Sequence, residues 1–177
     1  AEELGLLLDS LLGGLPKTGA ELPGMAELNI TGGMTIVPFE TPQSVAFFGH
    51  AGIARDDPDF FAAFVANEIF GGSGRQSRLS EEVREKRGLT YGVGSYLVNF
   101  DNADMLLGQF ASANDRVAQA IDVVKAEWAR IAEEGVTEEE LAEAKTYLTG
   151  AYPLRFDGNG PIARIIVGMQ TIGLTPD

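Results

Sequence analysis

GGSGRQSRLSEEVREKRGLTYGVGS, residues 71–95, is the stretch from which the fold can be read outward. Gly71-Gly72 closes whatever precedes it, and Ser73 with Gln76 three positions on fits a reciprocal N-terminal cap. The spacing then predicts a short helix with Leu79 and Val83 turned inward. Lys86 and Arg87 suit its negative C-terminal end, and Gly88 suits the left-handed position that ends helices. From Leu89 the pattern changes to that of a strand carrying Tyr91.

On the N-terminal side, Asp57-Pro58 reads as a helix start, followed by an apolar stripe of Phe61, Phe64, Val65 and Ile69. Before it, Ser44 to Ile53 is a nearly unbroken apolar run, the signature of a strand buried on both faces. Ala26 to Phe39 alternates imperfectly around Gly32-Gly33 and predicts one strand or two short ones. Glu2 to Leu12 has helical apolar spacing, and a Pro/Gly-rich connector follows it.

On the C-terminal side, Leu89 to Phe100 and Ala103 to Ala113 predict a hairpin around an Asn/Asp turn. Val117, Ile121, Val124, Trp128 and Ile131 mark a long amphipathic helix. Thr137 with Glu140 is a second capping box, opening a helix to about Tyr152, and Pro161 to Ile172 reads as a last helix. Strands mixed with paired helices predict an α+β fold, a mostly antiparallel sheet covered by helices on one face.

Composition narrows the chemistry. With 26 acidic residues against 13 Lys and Arg, the net charge of −13 argues against nucleic acid or an anionic membrane surface as partner. No run of apolar residues is long enough for a membrane helix. The absence of cysteine removes disulfides, thiolate metal sites and cysteine nucleophiles. His50, the only histidine, sits in an apolar run and reads as a core or edge residue, so this sequence supplies no metal site. Gly71, Gly72, Ser73 and Gly74 fall short of a nucleophile elbow, because Arg75 stands where its last glycine belongs. They fall short of a phosphate loop for want of a following Gly-Lys. Two readings of the four remain: a turn whose glycines permit positive φ, or a loop whose amides contact a bound chain.

The string Gly71-Gly72, Ser77-Arg78-Leu79 and Glu82 to Tyr91 resembles the second, non-catalytic half of the pitrilysin, insulysin and mitochondrial-processing-peptidase family. Pro42-Gln43-Ser44, Gly52 to Arg55, Gly135 to Leu141 with Ala144-Lys145, and the opening helix ending Gly-Gly-Leu-Pro resemble it too. The resemblance implies a bacterial inactive domain. Residues 1–24 would be the helix and connector between halves, and 25–177 the domain itself without its last strand and helix.

It implies a partner half, in the same chain or another, holding zinc through H-x-x-E-H, with an extended peptide gripped between the halves. Arg84 and Tyr91, seven positions apart, would donate hydrogen bonds to a substrate carbonyl or oxyanion, with Gly71 to Gly74 as peptide contacts. This chain alone would be inactive. Exported bacterial members point to the periplasm ahead of the cytoplasm. Other roles for the same residues are simpler: Arg84 paired with Glu81 or a nearby helix charge, and Tyr91 packed on the sheet. Arg87 reads as solvated and Arg78 as structural. The competing function is a non-enzymatic assembly scaffold on the same fold.

Overall fold

The computed structural model of the chain describes residues 2–73 and 76–175. Helix α1 spans Glu2–Leu12, strand β1 Gln43–Ala51 and helix α2 Phe60–Gly71. A π-helical turn, Ser80–Glu85, precedes strands β2 (Val93–Phe100) and β3 (Ala103–Ala113). Helices α3 (Val117–Glu134), α4 (Glu138–Ala151) and α5 (Asn159–Thr171) come after them. The three strands form one antiparallel sheet in the order β1-β3-β2. The fold is α+β, with α2, α3 and the π turn packed on one face of the sheet.

The hairpin forms where the pattern places it, with Phe100 opposite Ala103 across the Asp101-Asn102 turn. β1 then pairs with β3, Gln43 opposite Ala113 and Ala51 opposite Met105. The core gathers Phe70, Leu79, Val83, Leu89, Phe110, Ala120 and Val124, flanked by Ala46, Phe48, Val93 and Trp128. Burying each large apolar side chain contributes about 1.5–3 kcal/mol, so the clustered residues bind α2, α3 and the π turn onto the sheet. Gly108 admits the Phe48 ring, since a Cβ there would stand 2.2 Å from its atoms. Phe48 in turn meets Trp128 edge-on, ring centres 5.6 Å apart.

Several local expectations shift. β1 is not buried on both faces: Val45 is 60% and Phe47 77% exposed, because no layer covers the second face among the described residues. Residues 26–39 form no strand. Among the described residues, their one backbone bond outside regular elements is Ala26 N–H to Asn102 O at 2.7 Å, and Met34, Ile36 and Phe39 stay exposed. An apolar alternation becomes a strand only beside a partner, and no described strand lies alongside.

Helix α2 starts at Phe60, while Asp57 accepts the Asp59 N–H at 2.9 Å. Its buried residues include Phe60, Ile69 and Phe70, with Phe61 exposed, a rotation of the expected stripe. The cap expected from Ser73 falls to Ser77, whose Oγ accepts the Ser80 N–H at 3.3 Å. β2 begins only at Val93. His50 is an exposed edge residue whose ring lies 5.2 Å from Trp128.

Candidate functional site

The Ser77–Gly88 segment carries three arginines, and their surroundings separate them. Arg78 is 5% exposed. Its guanidinium donates to both carboxylate oxygens of Glu140, at 2.6 and 2.8 Å, and to Gly135 O at 2.9 Å. Glu140 also accepts the Thr137 N–H at 2.7 Å, while Thr137 Oγ1 accepts the Glu140 N–H at 3.2 Å. One carboxylate therefore joins the cap of α4 to the start of the π turn. The bond from Arg78 is the chief reason that the Glu140 carboxyl lies at about 2. Arg87 is held by Glu82.

Arg84 differs from both. It is half-exposed, and the described residue that its guanidinium engages is Glu85, at 3.5 Å. An exposed pair at that distance contributes little, about 0–1 kcal/mol, and leaves most of the five N–H donors available. Arg84 lines a groove of about 530 Å³ with Gly72, Ser73, Ser80, Tyr96 and Gln109. Val45 and Ala111, from β1 and β3, complete its wall. The groove thus lies where the end of α2, the π turn and the sheet meet.

Tyr91 stands beside this groove and does not line it. It is 91% exposed and does not pack on the sheet. Its presentation is fixed from behind. Thr90 Oγ1 lies 2.6 Å from Ala111 O and 2.8 Å from Gly92 O, and accepts the Gly92 N–H at 3.1 Å. Ser112 Oγ donates to Leu89 O at 2.6 Å, and Arg116 Nη1 donates to Gly88 O at 3.1 Å. Gly88 adopts φ +57°, the left-handed conformation in which the chain leaves the turn toward β2. With residues 88–92 tied to β3 and α3, Tyr91 is left facing outward.

The predicted glycine loop divides. Gly72 and Ser73 reach the groove. Gly71 lies buried behind it, where a Cβ would stand 2.4 Å from Ser95 Oγ and 3.0 Å from Leu79. Gly71 thus admits the close approach of α2 to β2. Gly74 lies outside the described residues. Tyr96 and Gln109 were not singled out from sequence, because only the packing of the π turn beside their hairpin brings them near Arg84. Their position on one face of alternating strands was the available signal.

Among the described residues, no three His, Cys, Asp or Glu side chains come together to hold a metal ion. His50 stands against Trp128, with its Nδ1 2.5 Å from Ala51 O. A catalytic zinc does not fit these residues, and no chemical step can be routed through one here. What the site offers is hydrogen-bond donation from Arg84, Tyr91 and the groove hydroxyls.

A family model described as the peptidase M16 inactive domain matches residues 2–148. An uncharacterized zinc protease of Streptomyces coelicolor is 35% identical over 142 residues, 78% of this chain and 30% of that protein. Another, of Mycobacterium tuberculosis, is 32% identical over 131 residues, 74% of this chain and 30% of the relative. The crystal structure of a peptidase M16 inactive domain from Pseudomonas fluorescens is 33% identical. It aligns with TM-score 0.66 over 74% of this chain and 31% of that one. A protease from Helicobacter pylori shares the fold at 13% identity, with TM-score 0.72 over 96% of this chain and 42% of its own. The chain thus spans about 30% of the length of these two curated relatives.

Proposed function

The chain belongs to the peptidase M16 inactive-domain family, and from that premise we propose that it is the substrate-holding half of a zinc peptidase. In this reading a second half, in the same polypeptide or another subunit, carries zinc on an H-x-x-E-H motif. The two halves enclose an extended peptide. Residues 1–24 serve as the connection between halves and 25–177 as the holding domain.

The observation that carries this reading is the availability of Arg84. A guanidinium beside a groove, with one weak partner at 3.5 Å, has donors to offer an incoming chain. Tyr91, exposed seven positions on, adds a hydroxyl donor at the rim. Gly72 and Ser73 on the far wall contribute backbone and hydroxyl contacts to the same peptide. Donors fixed before substrate arrives suit a carbonyl oxygen that gains charge during cleavage, because no reorganisation is needed then. A pure assembly scaffold has no use for a half-exposed arginine kept free beside a groove.

The test compares two preparations on one quenched peptide. The full-length protein with its zinc-binding half is expected to cleave it and to lose that activity to a chelator. This 177-residue chain alone is expected to give no turnover, with or without added zinc. Chelator-resistant turnover by the chain alone would overturn the reading.

A further inference from the structure

Arg84 sits near the end of a turn, Ser80–Glu85, that is not α-helical, and the hydrogen bonds show how that turn is held. The Lys86 N–H donates to Glu81 O, five residues back, at 2.9 Å. The Leu89 N–H reaches Val83 O, six back, also at 2.9 Å, while the Gly88 N–H keeps the ordinary bond to Arg84 O at 2.8 Å. Such wide turns are rare and occur mostly as single turns within α-helices, frequently at functional sites.

Side-chain contacts join Glu82 and Arg87 in this one. In an α-helix, residues five apart point about 140° away from each other, so a pair at that spacing does not meet. In this turn it does. Arg87 Nη1 donates to the backbone carbonyl of Glu82 at 2.8 Å and also to its carboxylate. Lys86 Nζ donates to the same carboxylate at 2.6 Å. The Glu82 side chain is only 13% exposed, and the bonds from Lys86 and then Arg87 hold its carboxyl below the usual range.

We propose that the Glu82–Arg87 pair is a register latch: it holds the π turn open and thereby sets where Arg84 points in the groove. Closing the turn into an α-helix would shift the register by one residue, rotating the later residues of the segment by about 100° relative to the anchored Leu79. Arg84 would then swing away from Ser73 and Gln109. Glu82 also draws Lys86 and Arg87 to itself, so that Arg84 alone of these three cations lines the groove. Glu82 and Arg87 are accordingly positioning residues for the substrate contact, an inference that rests on the function proposed above.

The experiment uses the full-length protein with its zinc-binding half. Arg87→Gln and Glu82→Gln are each made in the native background and in Arg84→Ala. The readouts are kcat/KM on one peptide and hydrogen exchange at the amides of Lys86 and Leu89. Either change is expected to lower kcat/KM about tenfold in the native background and less than twofold beside Arg84→Ala, the signature of acting through one residue. Exchange at both amides should speed up at least tenfold. Equal losses in the two backgrounds, or unaltered exchange, would overturn the latch. Should Arg84→Ala itself leave turnover unchanged, the functional reading falls instead, and the exchange data still decide whether the latch exists.

Discussion

Arg78 and Arg84 occupy one short helical segment, yet their surroundings are opposite. Arg78 is buried, paired twice with one carboxylate and once with a carbonyl, and ties α4 to the π turn. Arg84, six positions on, is half-exposed, loosely paired and turned to the groove. The difference teaches that charge alone says little about role. A cation bonded through Nε and Nη2 to partners inside the fold holds the fold, and one whose donors face a groove can hold a ligand.

The largest effect expected from this contrast is on stability. Arg78→Met strands the Glu140 carboxylate and the Gly135 carbonyl, and should cost about 3 kcal/mol or more by chemical denaturation. Turnover per folded molecule should stay within about twofold. A lost rate at unchanged stability would reverse the roles of the two arginines.

Acid sharpens the same contrast. Glu140 has its carboxyl lowered from 4.5 to about 2, so its bond to Arg78 stabilises the fold fully above about pH 4.5. That contribution is lost as pH falls through about 2. Stability measured from pH 5 down to 2 should therefore decline more steeply in the native protein than in Arg78→Met. Parallel curves would show that the pair is not the source.

Tyr91→Phe removes one exposed hydroxyl and no packing, so in the full-length protein it should lower kcat/KM roughly tenfold, about 1.4 kcal/mol. Its melting temperature should not move; an unchanged rate would reduce Tyr91 to a surface residue. The smallest effect concerns the far end of the Arg78 network. Thr137→Ala removes the cap hydroxyl of α4 and should cost about 1 kcal/mol of stability, leaving turnover alone. A loss of several kcal/mol would mean that the cap also orders Glu140 for Arg78.

What the sequence made legible was local. The hairpin pairing of 93–100 with 103–113, the inward stripe of α3 and the Thr137–Glu140 capping box depend on residues within a turn or two of one another. What it hid depends on distance. Arg78 and Glu140 are 62 positions apart, and Thr90 and Ala111 are 21 apart. Tyr96 and Gln109 join the groove only because the end of α2 and the π turn pack beside their hairpin. Ala26 to Phe39 has the imperfect alternation of a strand and lacks a described neighbour to pair with, which no pattern within the segment could reveal. The π register escaped for another reason: Leu79 and Val83 satisfy α-helical spacing, so nothing in the apolar pattern marks the wide turn that starts at Ser80 between them.

Arg84 is where substrate holding is tested most directly. In the full-length protein, Arg84→Ala should lower kcat/KM for a peptide by about a hundredfold or more, while the melting temperature stays within about a degree of the native value. An unchanged rate, or a loss matched by equal destabilisation, would contradict the claim that this arginine is held free for a substrate.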